Sequence, residues 1–190
     1  MQRMVLALGT ALMSVAMSSS ASADVLIDHF TTGAGGLSTS AAAPVVIGPT
    51  NFAAAGAIGG SRTLQLNKTS GGAGQTSFIA SGTETLDYSN TALAQSVSSV
   101  LWDANGSGLG GLNWLALGLG YLTVDAVSGD LGVTLTFTVN GTSTLSVVNP
   151  VGGTTFFKFS DFSSPGVFSS VNSVQLTFTS TVDSPDFIVD

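Results

Sequence analysis

Three groupings of side chains in this chain have types and spacings suited to chemistry. The first is "LWDANGSGLGGLNW", Leu101 to Trp114, which sets Asp103, Asn105 and Ser107 at alternate positions in a Gly-rich loop. Oxygen ligands at that spacing, with the Leu109 carbonyl next, match the first half of a calcium loop. Counted from Asp103, however, the twelfth position is Trp114 and not the Glu that closes such a shell. One carboxylate cannot neutralise a divalent ion, so Asn-Gly and Gly-Gly are expected to make a turn. The second grouping is acidic: Asp24 and Asp28 near one end of the chain, Asp183, Asp186 and Asp190 at the other. If the first and last strands pair, Asp28, Asp186 and Asp190 could meet and hold a structural calcium, the one cofactor the pattern suggests; five solvated acids are the simpler alternative. The third is aromatic. Sugar binding needs exposed rings that stack on pyranose faces, and Trp102, Trp114, Tyr88 and Tyr121 are the candidates. Trp102 and Trp114 flank the glycine loop and are the expected ligand-binding residues, with core packing the competing role and the expected one for at least one of them.

Catalytic groupings are poorer. His29 is the only histidine, and its neighbour Asp28 would point to the opposite face of a strand. No G-x-S-x-G nucleophile elbow occurs. Glu84 is the sole glutamate, and Asp87, three residues on, falls on the other face; nothing in the spacing recommends Asp103 with Asp161 or Asp125 as a glycosidase pair. No catalytic residue is assigned. Arg62, in "IGGSRTLQL", alternates with Leu64 and Leu66 and so should point into the core. A buried arginine is costly unless paired, which predicts a carboxylate partner, Asp28 or Asp161.

The elements that must position these residues are strands. In "LGVTLTFTV", Leu131, Val133, Leu135, Phe137 and Val139 alternate with small or hydroxyl residues, and Val174, Leu176 and Phe178 repeat the pattern. A period of two marks half-buried antiparallel strands. Asn140-Gly141 sits where a hairpin turn wants positive φ, with the returning strand at Ser143 to Val148. Further strands are expected at Val25–Phe30, Arg62–Asn67, Gln75–Ser81, Thr83–Tyr88, Ser96–Trp102, Trp114–Leu119, Tyr121–Asp125, Thr155–Phe159 and Asp186–Val189. Gly33–Ser40 and Ala53–Gly60 read as loops. Many short strands with turn-rich joints predict an all-β, antiparallel β-sandwich, most simply a jelly roll. The threonine runs, such as "TLTFT", read as isolated solvent faces and not as a stacked array.

Composition sets the compartment and excludes partners. Arg3, the apolar Val5–Met17 and the Ala21-Ser22-Ala23 cleavage site form a signal peptide over residues 1–23, leaving 24–190 as a single exported domain. No later apolar stretch reaches the roughly 18 residues of a membrane helix. No cysteine is present, so no disulfide braces the fold. Beyond the signal, Arg62, Lys68 and Lys158 are the only lysines and arginines against all 11 acids. Nucleic-acid binding needs clustered cations and is excluded. Glycans, neutral polymers and cations remain.

Several segments together resemble a group of bacterial secreted β-sandwich proteins that often carry a C-terminal PEP-CTERM sorting tail handled by an exosortase. They are "LIDHFTTG", "IGGSRTLQL", "LWDANGSG", "FSDFSS" and "VNSVQLTFTS…DFIVD". The resemblance implies a surface or exopolysaccharide-associated role and a fold similar to carbohydrate-binding, galactose-binding-like jelly rolls. No Pro-Glu-Pro, apolar span or basic cluster follows Asp190, so the expectation is either free release or a tail lost by truncation. The reading as a whole is an exported, non-catalytic module of the cell exterior, either structural or binding polysaccharide or matrix. A small glycan hydrolase or lyase is the first alternative. An outer-membrane β-barrel is the second, and the terminal Asp190 counts against it.

Overall fold

The structure is a computed structural model that describes residues 25–190 apart from 92, 149, 151 and 184. The expected signal peptide, its cleavage site and Asp24 lie outside the described residues. Twelve strands form two antiparallel six-stranded sheets. One sheet has the order β1 (Gly35–Thr39), β4 (Thr76–Ala80), β5 (Leu86–Asn90), β12 (Asp186–Val189), β7 (Tyr121–Gly129), β10 (Gly153–Lys158). The other runs β2 (Val45–Ala53), β3 (Ser61–Ser70), β6 (Gln95–Trp102), β11 (Val174–Ser180), β8 (Val133–Val139), β9 (Ser143–Val148). This is the expected β-sandwich. The chain passes repeatedly between sheets, and its last two strands fill the middle of both. Among the described residues no helix is long and apolar enough to cross a membrane.

Alternation builds the core. Val133, Leu135, Phe137 and Val139 of β8 and Val174, Leu176 and Phe178 of β11 are all buried, whereas Leu131 falls in the preceding turn and is exposed. Asn140 and Gly141 take positive φ (52° and 67°), and the Thr142 amide closes the turn on the Val139 carbonyl at 3.1 Å. Across the interior, Tyr88 of β5 donates to the Ser96 carbonyl of β6 at 2.8 Å, and the Ser96 hydroxyl donates to Asn90 Oδ1 at 2.9 Å. A buried polar link thus ties one sheet to the other, which fixes their relative placement as well as their spacing.

Several expected elements differ. Val25–Phe30 is an irregular strap and not a strand, although Ile27 accepts a hydrogen bond from the Ile58 amide at 2.7 Å. The last strand therefore pairs with β5 and β7, not with Val25–Phe30. Trp114–Leu119 is a series of turns, closed by Leu119 N to Trp114 O at 3.1 Å, with Leu115 and Leu117 facing solvent. Two strands, β1 and β2, occupy stretches whose small residues, Gly48 and Pro49 hid them; β2 is an edge strand, where proline is tolerated, and its register shifts across Gly48-Pro49. The threonine runs are not isolated: Thr134 and Thr136 of β8 lie opposite Thr179 and Thr177 of β11, in register.

The strap is fastened by charge. Asp28 Oδ1 accepts from the Phe30 amide and from Arg62 Nη2, both at 2.9 Å. Its Oδ2 accepts from Trp102 Nε1 at 2.8 Å and lies 2.8 Å from Arg62 Nε. Arg62 Nη2 also donates to the Thr32 carbonyl at 2.7 Å, and the guanidinium lies 4.9 Å from the Phe30 ring centroid. Both side chains are essentially inaccessible. Burial pushes the Arg62 guanidinium below its ordinary value, and the charge and hydrogen bond of Asp28 oppose that shift. Of the two carboxylates the sequence offered as partners, Asp28 is the one used. Removing one member of such a pair strands the other charge. Asp28→Ala is therefore expected to lower the unfolding free energy by about 3–5 kcal/mol in urea denaturation. Asp28→Ala combined with Arg62→Met should be less destabilised than Asp28→Ala alone.

Candidate functional site

The outer face of β7 and β10 carries the exposed aromatic surface of the molecule. Along β7 the alternation turns Tyr121, Thr123, Asp125 and Val127 to solvent and Leu122 and Val124 inward. On β10, Phe157 is buried and its neighbour Phe156 must face out. The register sets Lys158 opposite Tyr121, Phe156 opposite Thr123 and Thr154 opposite Asp125. Tyr121 and Phe156 are thus diagonal neighbours, with ring centroids 5.2 Å apart and planes at 80°. They are 50% and 54% exposed, the only exposed aromatic side chains among the described residues. Because β10 is a sheet edge, this surface is open on one side.

Beside it lies a cavity of about 340 Å³, lined by the strap, the 118–120 turn, Tyr121, Thr123, Asp125 and Asp190. The Asp190 amide donates to the Asp125 carbonyl at 2.9 Å, which holds the two acids on adjoining backbone. Asp125 Oδ1 accepts from the Thr154 hydroxyl at 2.6 Å. Asp190 Oδ1 stands 3.4 Å from His29 Nδ1, and both side chains are substantially exposed. A half-open site of this volume with an aromatic wall and carboxylate acceptors is suited to a polyhydroxylated ring. The opposite sheet has no such feature. Its six strands contain two charged residues, Arg62 and Lys68, both fully buried, and none of its aromatic side chains is exposed.

The tryptophans are corrected. Trp102 is 3% and Trp114 1% exposed, so neither presents a ring face to a sugar. Trp102 ends β6 on its inward side and is hydrogen-bonded to Asp28. The glycine loop does not project; it folds back through a bridge between Leu112 and Val171 and a bond from Trp114 N to Phe168 O at 2.9 Å. Trp114 is thereby stacked against Phe159 and Phe168, at 6.2 and 6.1 Å. Tyr88 is also buried, which leaves Tyr121 from the original four. Phe156 was missed, although "FF" within a strand requires one ring of the two to face outward.

The calcium clip is corrected as well. Asp28 is engaged by Arg62 and Trp102, Asp190 lies near His29, and Asp130 Oδ2 reaches the Asp186 amide at 3.1 Å. Asp186 and Asp190 are four residues apart along extended chain, about 13 Å at strand rise, too far to share an ion. Among the described residues no three His, Cys, Asp or Glu gather where they could hold a metal. Asp103 accepts the Gly108 amide through its own carbonyl at 2.8 Å, and Ala104 and Asn105 take positive φ, so the opening loop is a compact turn.

No protein-family model, curated protein or solved structure matches the chain. The functional reading therefore rests on the geometry of the site itself.

Two outcomes check these assignments. Trp102→Phe should cost about 1.5–3 kcal/mol more than Trp114→Phe in chemical denaturation, because only Trp102 loses a hydrogen bond to a carboxylate, whereas Trp114 Nε1 has no partner to lose. The thermal midpoint should be the same in calcium and in chelator; a rise of several degrees with calcium would restore the clip.

Proposed function

We propose that this protein is an exported, non-catalytic β-sandwich module that binds polysaccharide outside the cell, using the outer face of β7 and β10 and the adjoining cavity. The observation that carries this reading is the Tyr121–Phe156 pair, two half-exposed rings side by side on an otherwise aromatic-poor surface. Leaving large rings in water forgoes hydrophobic stabilisation, and a sugar face covering them recovers it. Thr123, Thr154, Asp125 and Asp190 supply hydroxyl and carboxylate partners around the rings. The leader-like residues 1–23, the scarcity of basic residues and the resemblance to PEP-CTERM-associated secreted proteins support the extracellular setting.

Affinity electrophoresis against a panel of neutral and charged polysaccharides tests it. Retardation is expected with at least one glycan. Tyr121→Ala or Phe156→Ala should weaken it about tenfold or more with unchanged circular dichroism and melting, in line with the loss of one aromatic contact. Normal binding by both variants would move the site elsewhere. Release of new reducing ends on incubation would replace the binding role with the hydrolase alternative.

A further inference from the structure

The cavity's charge narrows the ligand, an inference that rests on the glycan-binding reading. Every charged residue lining it is acidic: Asp28, Asp125 and Asp190. The Asp28 carboxylate is neutralised by Arg62, so the field at the opening comes from Asp125 and Asp190. The basic groups near by are His29, beside Asp190, and Lys158, opposite Tyr121 on β10, and neither lines the cavity. An ionised carboxylate only accepts hydrogen bonds, whereas an ammonium offers three donors and no acceptor. Bonds between such charged partners are about twice as strong as neutral ones. A cation close to the faces of Tyr121 and Phe156 is also attracted by their ring quadrupoles. Uronate and sulfated chains meet the opposite situation, like charge on a protein of formal net charge −7.

We propose that the site selects amino-sugar glycans carrying free, protonated amines, with Asp125 and Asp190 receiving the ammonium while the ring stacks on Tyr121. An N-acetyl group in that place removes the charge and two of the three donors, so acetylation state becomes the property that is read.

Titration calorimetry in neutral, moderate-salt buffer compares a β-linked glucosamine hexamer with its fully N-acetylated counterpart, alongside the neutral glycan panel. The expected result is a preference of about tenfold or more for the free amine. Asp125→Asn and Asp190→Asn should each cut that preference severalfold, weakening the glucosamine hexamer more than its acetylated counterpart. Asp161→Asn removes the same charge from an exposed residue of the Phe159–Asp161 turn that does not line the cavity, and should change nothing. Equal affinity for the two hexamers, or an equal effect of Asp161→Asn, overturns the amine selectivity while glycan binding stands. Binding of an acidic glycan but of neither hexamer likewise overturns only the selectivity, and no binding of any glycan, neutral or charged, overturns both.

Discussion

A charge pair in the interior holds the Val25–Phe30 strap in place. Arg62 sits on β3 at an inward position, where alternation with Leu64 and Leu66 leaves it no route to water. A guanidinium there requires a carboxylate, and the strap supplies Asp28. That single side chain then organises its surroundings: one oxygen caps the strap's own bend at the Phe30 amide, and the other fixes the indole of Trp102. The strap has no strand partners of its own and few backbone bonds, so its position is set largely by this cluster. Since the same strap is one wall of the cavity, an electrostatic necessity in the core determines where that cavity can open.

The two sheets divide the remaining work. One presents an outer face without exposed charge or ring, on which threonine and serine hydroxyls bond to each other, as Thr136 and Ser146 do at 2.8 Å. Its two cations are turned inward: Arg62 pairs with Asp28, and Lys68 donates to the carbonyls of Ala41, Gly72 and Gly74 at 2.6–2.8 Å, tying down two loops at one end of the sandwich. The other sheet carries the exposed aromatic pair at its β10 edge. An edge strand ordinarily invites pairing with another chain, and Lys158 and the glycines at 152 and 153 are residues that discourage continuous strand addition there. The surface remains available for a ligand that approaches its face.

Period-two alternation made the sandwich and most of its core legible, because inward position follows directly from it. The Arg62 partnership was readable for the same reason. Lys68 shares that parity, but an expected strand ending at Asn67 stopped one residue short of it, and its cage of carbonyls is made by loops whose path no local pattern encodes. Position across the fold was illegible for the tryptophans. Flanking a glycine loop suggested exposure, yet the loop's return onto the 159–171 segment is a long-range event that depends on Phe159 and Phe168 stacking at 3.6 Å. The acidic clip failed because it assumed a first strand that does not form. Once the strap is irregular, Asp28 is free to turn inward to Arg62, and the acids of β12 are left spread along extended chain.

Stability and recognition are consequently coupled at one residue and separable at others. Asp28 belongs to both the buried cluster and the cavity wall, so its loss disturbs the site indirectly even if it never touches a ligand. Tyr121 and Phe156 differ in kind. Half of each ring is already in water, and their mutual contact adds only about 0.5–1.5 kcal/mol to the fold. A ligand that packs against the strap and β7 together would stabilise the folded state by mass action, and would do so most where the strap is weakest. A glycan bound as proposed is expected to protect the amides of residues 25–30 from exchange, because the ligand and the Asp28 cluster would hold the same segment from two sides.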